Sequence, residues 1–258
     1  MVYILDKDII KYDVKMPEVV FKYRSSNSQN IDALMKNMLY VPRTDYLNDV
    51  SELSLYSTDN YVEIFEKFIS LLRKGSYILS LGTESNNMIL WNLYSDSFKG
   101  FIIEYQFEDL ISCIKKQREG CRCGYVTYSN NKKFISSSFL DQYKQVQNDN
   151  CTIDFNSYSF MFNKSSSWKV ENEFRMAFPV QDSDIEFINV NNSIIYKKGF
   201  FIKDIRPNRI VIGYKMELVT KNNILKFCKN NNIVLEVAKP NLSSRKYDIF
   251  FKSIYCPI

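Results

Sequence analysis

The segment from Trp168 to Phe178, with the sequence W-K-V-E-N-E-F-R-M-A-F, constrains the fold more than any other part of the chain. Within it, Glu171, Glu173 and Arg175 share one parity, while mainly apolar side chains share the other. Because a β-strand sends successive side chains to opposite faces, this alternation predicts a strand that buries one face in a core. The other face would carry two carboxylates about 7 Å apart, close enough to influence each other's proton affinity.

The scarcity of histidine and glycine excludes several kinds of catalytic, metal and phosphate-binding sites. The 258 residues include no histidine and only seven glycines. The chain therefore has no Ser-His-Asp or Cys-His nucleophile pair, no His-containing zinc site and no imidazole base. The glycines form neither G-x-G-x-x-G nor G-x-x-x-x-G-K-[ST], so Rossmann and P-loop phosphate sites have no support. Any chemistry must rest on carboxylates, Arg, Lys, hydroxyl groups or a thiol.

Composition favours a folded chain that does not enter a membrane. Hydrophobic residues make up 45% of the sequence, enough for a sizeable core, and the net charge of +5 indicates no particular partner. We find neither a signal peptide nor an apolar run of about 20 residues that could span a bilayer. The six cysteines have no recognisable metal-binding spacing. We therefore expect free thiols, a cytoplasmic location, no membrane contact and no bound metal.

Helical and strand patterns mix without strict βαβ alternation, which predicts one α+β domain over residues 1–258. The helical patterns cover residues 29–38, 61–75, 88–94, 107–117, 139–147 and 218–228. The strand patterns cover residues 2–5, 19–23, 39–41, 77–81, 101–105, 125–128, 170–178, 186–190, 194–202, 210–213 and 233–238. Residues 129–167 are rich in Asn, Ser and Lys, and we expect mobile loops around the helix in this region.

Several spaced motifs together resemble a known prokaryotic family. They are K-Y-R at 22–24, N-M-L-Y-V-P at 37–42, L-N-D-V-S-E at 47–52, the strand ending in Ser80, and the segments 88–105 and 164–175. Over roughly residues 20–240 this order is similar to the domain of unknown function numbered twenty-nine seventy-one. The family's N-D-P-F-E loop is N-D-V-S-E here, and Phe98 stands where its members often carry histidine. The resemblance suggests a role in bacterial or phage conflict.

A more distant resemblance links the chain to ADP-ribosyltransferases. Tyr-Arg on an early strand, a hydroxyl ending a middle strand and E-x-E on a late strand are similar to their R-S-E pattern. The resemblance implies a mixed, split and twisted sheet flanked by helices, and NAD as substrate. The implied nucleotide-binding residues are Arg24 on phosphate or ribose, Ser80 at the nicotinamide, and Tyr23, Trp91 and Tyr94 as aromatic walls.

The same resemblance gives the two glutamates different roles. Glu173 would bind the nicotinamide ribose and stabilise the oxocarbenium-like cation as nicotinamide leaves. Glu171 would orient or deprotonate the acceptor, as paired carboxylates do at sugar centres. The acceptor remains open between protein, nucleic acid and water, and the sequence does not indicate an oligomeric state.

Other interpretations of these residues stay open at this point. Glu171 and Glu173, with Asp49 and with Lys164 as a helper, could hold Mg²⁺ in a nuclease or phosphodiesterase. A third hypothesis is a non-catalytic binding module. The site residues also have structural interpretations: Arg24 pairing with Glu171 or Glu173, Ser80 capping the next helix, and Trp91 and Tyr94 packing in the core.

Overall fold

The computed structural model describes residues 3–4, 15–47, 49, 53, 55–57, 62–141, 160–188, 193–245 and 247–257. Its strands are β1 (Tyr3–Ile4), β2 (Val19–Arg24), β3 (Leu39–Pro42), β4 (Leu55–Tyr56), β5 (Ser76–Gly82), β6 (Phe101–Gln106), β7 (Arg122–Tyr125), β8 (Thr127–Ser129), β9 (Lys133–Phe134), β10 (Asn163–Ser165), β11 (Glu173–Pro179), β12 (Ile185–Ile188), β13 (Ser193–Tyr196), β14 (Gly199–Ile202), β15 (Arg209–Gly213), β16 (Val234–Pro240) and β17 (Ile249–Tyr255). Its α-helices are α1 (Ser28–Met35), α2 (Val62–Lys74), α3 (Met88–Tyr94), α4 (Phe107–Lys115), α5 (described over residues 137–141) and α6 (Leu218–Asn231).

Nine strands form one sheet in the order β1-β7-β11-β5-β2-β6-β15-β16-β17. The β15–β16 pair is parallel and its other pairs are antiparallel, so the sheet is mixed. The prediction of an α+β fold with a mixed sheet flanked by helices is therefore confirmed. The remaining described strands form four two-stranded pairs: β10–β8, β12–β13, β14–β3 and β4–β9.

The centre of the sheet is divided between β2 and β5. Strand β2 pairs with β6 along its whole length, and β5 pairs with β11 along its whole length. Between β2 and β5 the only paired residues are Phe21 and Gly82. Beyond that pair the two strands diverge. Backbone N–H and C=O groups that a continuous ladder would pair therefore face a gap between the strands.

Three clusters of buried side chains cover the two faces of the sheet. The first face packs on α4 and α6 through alternate residues such as Leu79, Phe174 and Met176. On the second face, α2 and residues 160–162 cover Ile78 and Ala177, while α3 covers Phe21 and Tyr23. The division of the sheet lies where these last two clusters meet.

Two asparagines start the short helices on either side of that division. The Asn27 side chain accepts from the backbone N–H of Asn30 at the start of α1. The Asn87 side chain accepts from the N–H groups of Ile89 and Leu90 at the start of α3. Such caps satisfy backbone donors that a helix leaves unpaired in its first turn. They fix where each helix begins.

Several strand predictions are wrong in their bounds. The predicted strand 125–128 is divided between β7 and β8, and the predicted strand 194–202 is divided between β13 and β14. The strand predicted over 170–178 begins at Glu173, because Ser166–Glu171 forms a 3-10 turn and Asn172 takes a left-handed conformation with φ 42°. The predicted last strand, 233–238, is followed by β17 at Ile249–Tyr255. Most of the predicted helix at 139–147 lies outside the described residues. Residues 137–141, which are described, are helical. In the described part of the chain, no helix combines the length and apolar character needed to cross a membrane.

Replacing Phe174 by alanine should destabilise the fold strongly. The Phe174 side chain is fully buried between the rings of Phe107 and Tyr125, at centroid distances of 5.3 and 5.2 Å. Loss of such a ring lowers the free energy of unfolding by about 3–5 kcal/mol. Urea unfolding of Phe174→Ala measures this loss, and Tyr247→Ala, at a fully exposed ring, is the control with a change below about 0.5 kcal/mol. Equal losses in both variants would contradict the packing described.

Candidate functional site

A cavity of about 590 Å³ opens where β2 and β5 diverge. Its size lies within the range of small-molecule sites, about 300–1,000 Å³. Its walls come from β2, β5, α3, the loop after β3 and the residues that lead into β11. Charged side chains line much of it, namely Lys22, Arg24, Asp49, Asp96, Lys164, Glu171 and Glu173. A cavity so rich in ionisable groups is suited to a charged ligand.

Six of the seven residues predicted from the sequence line this cavity. They are Tyr23, Arg24, Ser80, Tyr94, Glu171 and Glu173. Trp91 does not line it: its ring is fully buried, stacks on Phe98 at 4.9 Å and donates from Nε1 to the carbonyl oxygen of Ser85. Trp91 therefore belongs to the core behind the cavity wall, as its structural interpretation proposed.

Glu173 is held at the start of β11 by Arg175. The guanidinium donates from Nε to Oε1 at 2.7 Å and from Nη2 to Oε2 at 3.0 Å, and its Nη1 donates to the carbonyl oxygen of Met161. Burial opposes ionisation of Glu173, but Arg175, Lys164 and a hydrogen bond from Ser80 outweigh it and hold its pKa at about 2. Glu173 is thus a fixed carboxylate anion in the cavity wall.

Glu171 reaches the cavity from a turn rather than from the strand. The 3-10 turn and the left-handed Asn172 redirect the backbone immediately before β11. The Glu171 carboxylate accepts from Lys164 Nζ at 2.7 Å and from Tyr94 Oη at 2.5 Å. Burial and this bond to Glu171 raise the pKa of Tyr94, which keeps the phenol protonated as a donor.

Lys164, on β10, links the acidic groups of the cavity. Its ammonium lies 2.7 Å from Glu171, 3.4 Å from Glu173 and 3.9 Å from Asp49, and 4.8 Å from the centroid of the Trp168 ring. The sequence analysis placed Lys164 only in the metal-dependent hypothesis. The signal that could have found it is its position in K-S-S-S-W, directly before the two glutamates.

Lys22 and Arg24 form the basic part of the cavity. Lys22 Nζ donates to the carbonyl oxygen of Ser80 at 2.6 Å, and Arg24 Nη2 donates to the carbonyl oxygen of Tyr40 at 3.1 Å. Burial, together with the neighbouring Arg24 charge, lowers the pKa of Lys22 well below its usual range, and burial also lowers the pKa of Arg24. In the part of the chain that the structure describes, Arg24 forms no ion pair with Glu171 or Glu173. The structural interpretation of Arg24 is therefore wrong. Lys22 belongs to the K-Y-R motif but is not among the site residues predicted from the sequence.

The other predicted residues also have defined neighbours. Ser80 lies opposite Arg175 in the β5–β11 ladder, so it does not cap α3, whose cap is Asn87. Tyr23 Oη donates to the carbonyl oxygen of Glu84, which holds the ring against the cavity.

The acidic groups surround an ammonium rather than an open coordination site. Asp49, Glu171 and Glu173 all face Lys164 Nζ. Over the residues that the structure describes, no group of three or more His, Cys, Asp or Glu side chains is arranged to hold a metal ion.

Residues 90–176 match the family model described as "Protein of unknown function (DUF2971)". The matched segment runs from α3 to the middle of β11, and it contains Tyr94, Lys164, Glu171 and Glu173. The match therefore supports the resemblance to this family over the segment that carries Lys164, Glu171 and Glu173. No curated protein and no solved structure matches the chain.

Removing the Arg175 charge should destabilise the protein more than removing the whole ion pair. In Arg175→Met, Glu173 loses its main counterion, and breaking a buried pair in this way costs about 3–5 kcal/mol in free energy of unfolding. In the double variant Arg175→Met/Glu173→Gln no uncompensated charge from this pair remains, so a smaller loss is expected. Urea unfolding of the unmodified chain, Arg175→Met, Glu173→Gln and the double variant measures the coupling. Strictly additive losses would contradict a direct pair.

The low pKa of Glu173 also predicts how stability depends on pH. Its folded-state pKa of about 2 lies below its ordinary value of 4.5. The ionised carboxylate therefore contributes stability above about pH 4.5, and this contribution is lost as the pH falls towards 2. Unfolding measured from pH 6 to pH 2.5 should show a shallower decline for Glu173→Gln than for the unmodified chain. Parallel curves would show that Glu173 is not held as an anion.

Proposed function

We propose that the cavity binds NAD and that the chain cleaves its nicotinamide–ribose bond, as an ADP-ribosyltransferase or NAD glycohydrolase. One observation carries the proposal: Arg24, Ser80 and Glu173 come from the adjacent strands β2, β5 and β11 and line one cavity. The R-S-E resemblance implies this convergence of an arginine, a hydroxyl and a glutamate. The divided sheet supplies the space between them.

The state of Glu173 suits the first step of such a reaction. As the C–N bond breaks, nicotinamide leaves with the bonding electron pair and positive charge develops on the ribose. Glu173 is an anion fixed by Arg175, so it need not reorganise to stabilise that charge. Ser80 lines the same cavity and favours the ionised form of Glu173, so in this proposal its hydroxyl helps to hold the carboxylate beside the ribose.

Glu171 is placed for the second step. It lies in the same cavity and is oriented by Lys164 and Tyr94. In this proposal an acceptor oxygen bonds to the ribose carbon and its proton passes to Glu171. Arg24 holds a phosphate of the substrate, and the rings of Tyr23 and Tyr94 form walls beside it. The proposal includes a cytoplasmic location, with which the free thiols of the five described cysteines are consistent.

The decisive experiment measures nicotinamide release from NAD in the presence of EDTA. The unmodified chain should release nicotinamide, and Glu173→Gln should lower the rate by about 10²–10³-fold, the usual loss when a charge-stabilising group is removed. Glu66→Gln, at an exposed position of α2, is the matched control and should keep full activity. Circular dichroism checks that each variant is folded.

The competing hypotheses predict different results, which a nucleic-acid cleavage assay and a binding assay measure. Cleavage of nucleic acid that EDTA abolishes, without NAD turnover, would favour the metal-dependent enzyme. Binding of a nucleotide or protein that survives the double change Glu171→Gln/Glu173→Gln, with no turnover, would favour the non-catalytic module. Either result would overturn the proposal.

A further inference from the structure

Lys22 and Arg24 are two neighbouring cations that no described carboxylate neutralises by direct contact. They lie two residues apart on β2, so both side chains leave the strand on the same side. The polar contacts of their side chains are the carbonyl oxygens of Ser80 and Tyr40. All other buried cations of the cavity region are paired: Lys164 with the acidic cluster and Arg175 with Glu173.

The carboxylates nearest to Lys22 are already engaged elsewhere. Glu173 is bound by Arg175 and Lys164, and Glu171 by Lys164 and Tyr94. Both glutamates raise the pKa of Lys22 through space. Burial and the charge of Arg24 lower this pKa by more. Two partly desolvated like charges side by side are costly unless an anion lies between them.

The order of groups along the cavity also positions Lys22. Its ammonium donates to the backbone carbonyl oxygen of Ser80, and Ser80 lies opposite Arg175, which binds Glu173, in the β5–β11 ladder. Lys22 therefore connects the Arg24 side of the cavity to the glutamate side. An anion bound by both Lys22 and Arg24 would therefore lie next to the part of the ligand that Glu173 contacts.

We propose that Lys22 and Arg24 together form a diphosphate-binding subsite of the cavity. A diphosphate ester carries two adjacent negative charges, which match two cations on one side of a strand. The inference rests on the proposed function for the identity of the dinucleotide, but the subsite itself requires only a diphosphate. Lys22 is thus a ligand-binding residue in addition to those predicted from the sequence.

The test uses ADP-ribose, which contains the diphosphate and lacks the bond to be cleaved. Isothermal titration calorimetry should show that Lys22→Met weakens ADP-ribose binding at least tenfold and reduces its dependence on salt concentration. Lys252→Met is the matched control, because Lys252 is an exposed strand lysine on β17, and it should bind like the unmodified chain. Inorganic pyrophosphate should compete with ADP-ribose, and adenosine should compete far less.

Three results would overturn the subsite: unchanged ADP-ribose affinity in folded Lys22→Met, competition by adenosine as strong as by pyrophosphate, or no binding of either diphosphate by the unmodified chain. Lys22→Gln, which shortens the side chain as well as removing its charge, provides a second folded variant for the same measurement. The subsite and the proposed function fail separately. Diphosphate binding that depends on Lys22 without NAD turnover would refute only the enzyme, whereas Glu173-dependent turnover with unchanged binding in Lys22→Met would refute only the subsite.

Discussion

The pairing of Arg175 with Glu173 is the interaction on which the rest of the site depends. Arg175 is a fully buried guanidinium in the sheet, and a charge in that position must be compensated nearby. Glu173 compensates it through two hydrogen bonds, and the carbonyl oxygen of Met161 takes a third. The pair fixes the carboxylate at the cavity wall and also joins β11 to the segment that covers the second face of the sheet.

Around this pair the cavity keeps its charges in two groups. The acidic group is gathered on Lys164, which bridges Glu171 and Glu173. The basic group consists of Lys22 and Arg24, which contact only backbone carbonyl oxygens among the described residues. Because the acidic group does not form ion pairs with Lys22 and Arg24, the cavity keeps room for a ligand with its own charges. One hydrogen bond to a backbone carbonyl oxygen holds each of Lys22 and Arg24 in place and leaves other N–H donors of these side chains for a ligand.

The sequence located six of the residues that line the cavity, but not the geometry that brings them together. Periodicity located α2, α4 and β11 because each has a strong apolar face. The strand was predicted to begin too early, since the pattern continues through Glu171 whereas a left-handed Asn172 interrupts the backbone. A left-handed asparagine has no distinctive signature in a polar and apolar alternation.

Lys22 shows why local patterns could not complete the site. On β2 it stands between Phe21 and Tyr23, so it has the appearance of an ordinary strand lysine directed to solvent. Its environment depends on the divergence of β5, a strand more than fifty residues later in the chain. Trp91 illustrates the reverse: its aromatic type suited a ligand wall, but helical packing on Phe98 places it in the core.

The single residue pair between β2 and β5 has a mechanical consequence. One half of the sheet carries Arg24 and Lys22, the other carries Ser80 and Glu173, and the ladder joins the halves at Phe21 and Gly82. A rotation about that junction changes the width of the opening without breaking the ladders within either half. A bound molecule that touches both halves would act as a brace across the opening and would oppose such a rotation.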